Sequence, residues 1–312
     1  MLSYTIRRLL GLIPVLFFVT FLTFILLRLT PGDPALIIIG PRETSPETIA
    51  AIREKFGLND DVLTAYVKWI VRAAQGNLGE SIRFKQDVGS LIAARLPITL
   101  LLVTLTMVIS TLIAIPLGVL AALRKNSFVD YGTSFVALVG NSSSVFFTAI
   151  LGILIFAFWL RWLPSFGAGS GGLDTMYHLI LPATALAIGQ LAFMSRITRS
   201  SMIEALSSDY IEAARAKGLP ERTVVIKHAL RNALIPLLTI ASMQFGFLIV
   251  GTVLVEYTVG IGGVGSAYTD AIRNRDYPVV QGITLFIAVV FVLINLLTDL
   301  LYGLIDPRVT YD

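Results

Sequence analysis

SSDYIEAARAKGLPERTVVIKHALRN, residues 207 to 232, is polar and alanine-rich, yet it belongs to a 312-residue chain that is 55% apolar and 14% charged, with a mean hydropathy of +0.81. Helix-boundary signals crowd into it. Ser207 or Ser208 can cap a helix, Asp209 complements the dipole at its start, Lys217 does so at its end, and Gly218 suits the left-handed position beyond. The spacing predicts a helix of about ten residues. Pro220 and Glu221 then open a second helix, with Arg222, Lys227 and Arg231 later along it. An isolated helix this short is marginal in water and needs something to pack against. Helical spacing puts Tyr210, Ala213, Ala214 and Lys217 on one face. Two readings stay open: a helix that docks on another protein, or a self-contained hairpin.

The surroundings of this stretch are apolar. Soluble domains average about 25% charged residues, so the deficit here points to lipid as solvent. Six stretches lack Asp, Glu, Lys and Arg: 9–27, 96–123, 131–160, 175–195, 232–255 and 277–298. Each can cross a hydrocarbon core of about 30 Å as a helix, and none shows the alternation of a barrel strand. Six spans place both termini on one side. Arg7, Arg8, Arg124, Lys125, the seven basic residues from Arg196 to Arg231, and Arg308 fall on that side, against Arg161, Arg273 and Arg275 in the short connections opposite. The positive-inside bias therefore makes the termini and residues 207–232 cytoplasmic. The first stretch is about 19 residues long and runs into LRLTPGDPA without a small-x-small site, which predicts an uncleaved anchor.

The expected fold is an all-helical membrane protein in three parts: a first transmembrane helix over 1–30, a helical extracytoplasmic insert over 31–95, and a core of five helices over 96–312. In the insert, Ser45, Pro46 and Glu47 start a helix that Gly57 would end. A second helix starts at Asn59-Asp60-Asp61 and closes at Gly76, with Val62, Tyr66, Trp69 and Ile70 as its apolar stripe. The insert is either a cap packed on helix ends or part of an entrance that receives an external partner. With no cysteine, disulfides and Cys-ligated metals are excluded. The net charge of +4 fits the positive-inside bias and argues for no nucleic acid.

Glu212-Ala213-Ala214, three residues, then Gly218 resembles the EAA motif of permease subunits in bacterial ABC importers. PGDPA at 31–35, RITRSSMIEAL at 196–206, ARAKGL at 214–219, HALRNALIP at 228–236, RDYPVVQ at 275–281 and DLLYGLIDPR at 299–308 resemble the B-type permease of dipeptide, oligopeptide, glutathione or nickel importers. The resemblance covers essentially the whole chain. It implies that Asp209, Tyr210, Ile211, Glu212, Ala213, Ala214, Arg215, Ala216 and Lys217, closed by Gly218, form a coupling helix seated in a groove of an ATP-binding subunit. Two such subunits, holding ATP and Mg, would drive a pair of permeases between inward-open and outward-open states. It further implies a non-identical C-type permease, an extracytoplasmic binding protein and the cytoplasmic (inner) membrane of a prokaryote. Two departures stand out. His228, Leu230 and Arg231 occupy the positions where the wider EAA pattern has Ile, Leu and Pro, as in a peptide-permease variant. Residues 259–265 read VGIGGVG where relatives carry a W-P-G-L-G-like loop.

No GxxxxGK[ST], HExxH or GxSxG occurs, so the chain should bind no nucleotide cofactor itself and should take its energy from a partner. His178 and His228 fall on opposite sides of the membrane and cannot share a metal. Asn141, Ser142, Ser143 and Ser144 offer an amide and hydroxyls to a translocation path, though such groups as often bond between helices. Glu256, at the outer end of the fifth stretch, is placed to meet a peptide amine or a cation, or simply interfacial water. Asp299 lies near a span end, where a structural use is favoured. A gradient-driven secondary transporter is the rival class. It would carry buried mid-span acids or paired inverted repeats, and neither is evident.

Overall fold

The computed structural model describes residues 2–29, 45–55 and 59–305. Among these residues the regular structure is helical, apart from one isolated bridge between Glu80 and Asp87. The helices are α1 (Leu2–Leu29), α2 (Pro46–Lys55), α3 (Val62–Ala74), α4 (Val88–Leu123), α5 (Phe128–Ser142) and α6 (Val145–Gly152), the last widening into a π-helical segment, Ile153–Trp159. There follow α7 (Gly172–Leu206), α8 (Asp209–Ala216), α9 (Glu221–Val259), α10 (Val264–Arg273) and α11 (Tyr277–Ile305). Helices α4, α7, α9 and the Tyr277–Thr298 part of α11 are long and apolar enough to cross a membrane. Helices α5 and α6 make a fifth span if the bent pair crosses as one, and Ile13–Leu29 of α1 is a shorter apolar helix. The chain is a multi-pass, all-helical membrane protein.

One expectation is overturned outright. The charge-free stretch 131–160 is not a continuous helix: Phe128–Ser142 and Val145–Trp159 meet at 103°. The cause is the serine run. Ser143 and Ser144 are both extended, and the Val139 carbonyl accepts from both the Ser143 N–H at 3.1 Å and the Ser143 hydroxyl at 2.7 Å, which closes α5 at this point.

The chain divides into two compact units, the first formed by Met1–Pro97 with Gly262–Leu293 and the second by Ile98–Ile261 with Ile294–Tyr311. In the first, α3 lies on α1. Tyr66 is buried edge-on against Phe17, Phe21 and Phe24, and its hydroxyl is 2.8 Å from Thr20 Oγ1. Asp61 caps α3 by accepting from the Thr64 N–H at 3.1 Å, and Gly76 takes φ +85 beyond its end. The predicted stripe holds for Tyr66, Trp69 and half-buried Ile70, but Val62 is exposed and Ala65 takes the buried place. Val62 is the first residue of α3, three positions before Ala65, where the buried face begins. Helix α2 starts at Pro46 as expected. Gly57, which would end it, and PGDPA at 31–35 lie outside the described residues.

A second core of this unit joins Val88, Leu91 and Ile92 to Val264, Ala267, Val280 and Ile283. Asp276, fully buried, accepts from Ser81 Oγ at 2.6 Å and from the Arg83 N–H at 3.0 Å, tying the loop before α4 to the corner between α10 and α11.

In the second unit α7 is central, packing on α5, α6 and α9. Lipid gives apolar surfaces no reason to leave it, so close approach of small residues and polar links must hold such helices together. Both occur. A Cβ at Gly140 would lie 3.2 Å from the Ile188 carbonyl, and Gly118 of α4 sits still tighter on α7. Gln244 Nε2 of α9 donates to Gln190 Oε1 of α7 at 2.6 Å. Asp130, 3% exposed, takes two hydrogen bonds from the Arg199 guanidinium, the Nη2 contact at 2.7 Å, and a third from the Asn126 N–H at 2.9 Å.

Candidate functional site

Helix α8 is short because its boundaries are strong. Ser208 is the N-cap residue with extended backbone, although its hydroxyl donates back to the Ala205 carbonyl and not to α8. At the other end the Gly218 N–H donates to the Arg215 carbonyl at 2.9 Å while Gly218 sits at φ +76, the left-handed geometry its sequence position predicts. Arg215 then clamps the turn, meeting Glu221 through Nη2–Oε1 at 2.7 Å and Nε–Oε2 at 3.2 Å. The Glu221 carboxylate, through that hydrogen bond, raises the Arg215 guanidinium above its ordinary value, so the clamp stays charged throughout the physiological range.

Two residues seat α8. Ile211, fully buried, and Ala214 pack with Met202 and Ala205 of α7 and with Val224, Val225, Ala229 and Ala233 of α9. Burying an isoleucine is worth about 1.5–3 kcal/mol, enough to hold a helix too short to persist alone. The opposite face carries Tyr210, Glu212, Ala213, Ala216 and Lys217, all exposed. The predicted face needs one correction: Ala214 turns inward beside Ile211, three residues before it, and does not share the outward face of Tyr210 and Ala213. The predicted second helix is no separate arm either. Glu221 begins α9, which continues through a π-helical stretch, Val224–Leu230, as far as Val259.

The residues predicted for a path separate. Asn141 and Ser142 close α5, while Ser143 and Ser144 form the break, with Asn141, Ser142 and Ser144 exposed. Glu256 is fully buried and accepts from Thr99 Oγ1 at 2.7 Å, so it does not share a surface with the Asn141–Ser144 break. Asn141 instead opens on a cavity of about 340 Å³ between α4, α5 and α7. Sequence reasoning missed that cavity, the Gln190–Gln244 link and the Asp130–Arg199 pair. Their partners lie 54 and 69 residues apart in the chain, and no local pattern marks them.

Residues 114–311 match the family described as binding-protein-dependent transport system inner membrane component, and residues 1–103 match that family's N-terminal membrane component. An oligopeptide transport system permease protein of Bacillus subtilis is 40% identical over 317 residues, covering all of both chains. A dipeptide transport system permease protein of Alkalihalophilus pseudofirmus is 41% identical over 334 residues, again covering both chains fully. A putative peptide permease protein of Brucella suis is 42% identical over 316 residues, covering 99% of each. The membrane fold resembles that in an inward-facing structure of the MetNI methionine ABC transporter, with TM-score 0.58 at 20% identity over 69% of this chain and 96% of that one.

Proposed function

The chain belongs to the binding-protein-dependent transport system inner membrane components, and from that premise we propose that it is a permease subunit of an ATP-driven importer of small peptides. Six spans with both termini cytoplasmic, an extracytoplasmic insert over 31–95 and a permease core over 96–312 complete the reading. Helix α8 couples the chain to a separate ATP-binding subunit that supplies ATP and Mg chemistry. One such helix per chain pairs one ATPase with each permease. The second permease is a non-identical C-type subunit, and an extracytoplasmic binding protein delivers the solute. Glutathione and metal chelates are the alternative cargoes within the same machine.

The observation that carries this reading is the two-sided build of α8. Ile211 and Ala214 fasten it to α7 and α9, while the Tyr210, Ala213 and Lys217 face is left open. A helix fixed on its inner side and clamped at its end moves with the helices beneath it, so displacement of its outer face reaches the spans. Small Ala213 lets a partner surface come close.

Ala213→Arg tests it. The side chain points outward, so membrane levels should stay near wild type, while the copurifying ATPase and peptide uptake are both lost. Retention of the ATPase together with normal uptake would overturn the coupling role. Uptake that persists after ATP depletion would move the chain to the gradient-driven class.

A second prediction concerns the cap. Nothing lies within 4 Å of a Cβ built on Gly218, so a side chain there meets no steric obstacle, only the backbone strain of φ +76. That strain is about 1–2 kcal/mol for an L-residue. Gly218→Val should lower uptake severalfold with membrane insertion unchanged, and Gly218→Asn should recover most of it, because asparagine tolerates the left-handed position. Equal uptake by the valine variant and the wild type would remove Gly218 from the coupling mechanism.

A further inference from the structure

The cavity between α4, α5 and α7 lies wholly within Ile98–Ile261. Leu117, Leu138 and Phe193 give it apolar wall, and Ser134, Asn141 and Arg196 give it polar groups. Arg199 also lines it, but that guanidinium is engaged by Asp130. Arg196 is in a different position. It is exposed, its guanidinium carbon stands 5.9 Å from the Phe193 ring, and among the described residues no carboxylate lies within ion-pairing distance of it. The cavity therefore holds one unneutralised planar fork, which matches a carboxylate in two-point fashion.

The spacing of the polar groups narrows the ligand. Gly140, next to Asn141, packs against Ala192 of α7, where a built Cβ would be 3.3 Å from the alanine methyl. Arg196 lies four residues further along the same helix, a rise of about 6 Å. Two extended peptide residues span about 7 Å. At the level of the backbone, the Asn141 and Arg196 positions are thus offset along α7 by about the length of a dipeptide, and a volume of about 340 Å³ falls within the range of small-ligand sites.

We propose that this cavity is a peptide subsite of the permease itself: Arg196 takes the terminal carboxylate, the Asn141 amide pairs with the peptide backbone, and the apolar wall receives a side chain. The proposal rests on the peptide reading given above. The alternative anion is a lipid phosphate, which shares the affinity for a guanidinium but can only accept from the Asn141 amide, whereas a peptide backbone both donates to it and accepts from it.

The test uses the complete permease–ATPase complex in nanodiscs without binding protein, probed by thermal shift against dileucine and against its C-terminal amide. Dileucine should stabilise the wild-type complex at concentrations about tenfold lower than the amide does, the loss expected when a charge-assisted pair is removed. Arg196→Gln should bring the two ligands to equal concentrations, Arg196→Lys should retain part of the preference, and Asn141→Leu should weaken both ligands alike. Each shift is read from the variant's own unliganded midpoint, so a destabilised variant still reports. Equal responses to acid and amide in the wild type, or an unchanged preference in Arg196→Gln, would overturn the subsite. So would loss of stabilisation by phosphatidylglycerol in Arg196→Gln with the peptide preference intact, which would assign the site to lipid. ATP-driven dileucine uptake by the full system separates the layers. No uptake removes the peptide reading, whereas uptake without an Arg196-dependent preference removes only the subsite.

Discussion

Gly118→Leu is expected to remove folded chain from the membrane almost entirely. A Cβ at this position would stand 2.5 Å from Thr198 Cβ and 2.7 Å from the Ser195 carbonyl oxygen, distances at which something must shift. Neither neighbour shifts easily. The carbonyl belongs to the backbone of α7, and Thr198 is held by its hydroxyl bond to the Met194 carbonyl at 2.8 Å. Relief requires α4 and α7 to separate, which would also loosen the contacts of Ala114 with Met194 and of Ala122 with Met202. Overpacking typically costs about 1–3 kcal/mol, and a leucine against fixed backbone belongs at or beyond the upper end. Gly132→Leu is the control, because nothing lies within 4 Å of its built Cβ. Fluorescence-detected size-exclusion of the two variants should give a monodisperse peak for Gly132→Leu and none for Gly118→Leu. A normal peak for Gly118→Leu would mean that α4 and α7 are not in contact there.

Asp130→Ala should be nearly as damaging, for an electrostatic reason. It strands the Arg199 guanidinium on a helix flank and frees the Asn126 N–H, which Asp130 holds in the turn before α5. Removing one partner of a buried pair costs about 3–5 kcal/mol. The Arg199 side chain is 29% exposed, so the lower end applies here. The double variant Asp130→Leu with Arg199→Met should be more stable than Asp130→Ala alone, because it removes the stranded charge along with its partner. Thermal midpoints of the purified chain decide this. A double variant less stable than the single one would show that the stranded Arg199 charge is not what makes Asp130→Ala costly, since both variants lose the hydrogen bond to the turn.

Some of these features were legible along the chain and others were not. The membrane class followed from composition, and the limits of α8 from Ser208, Lys217 and Gly218, because solvent preference and helix capping are decided by residues within a few positions of one another. The serine run was visible as a polar group but not as a bend, since a straight helix and a broken one have the same local hydropathy and differ in how the two halves pack on α7. Ala214 illustrates the limit of periodicity. Spacing alone assigned it to the face of Tyr210 and Ala213, whereas the place of Ile211 against Met202 and Val224 turned it inward.

Taken by itself, the sequence determined that the chain is helical, membrane-embedded and equipped with a capped polar helix, because hydropathy and capping are local properties. Only the tertiary structure decided which face of that helix is open, that Asp130 answers Arg199 while Arg196 is left to a cavity, and that Glu256 is buried on Thr99. Those outcomes depend on which distant segments pack together, and pairwise contact across 54, 69 or 157 residues leaves no periodic trace in the chain.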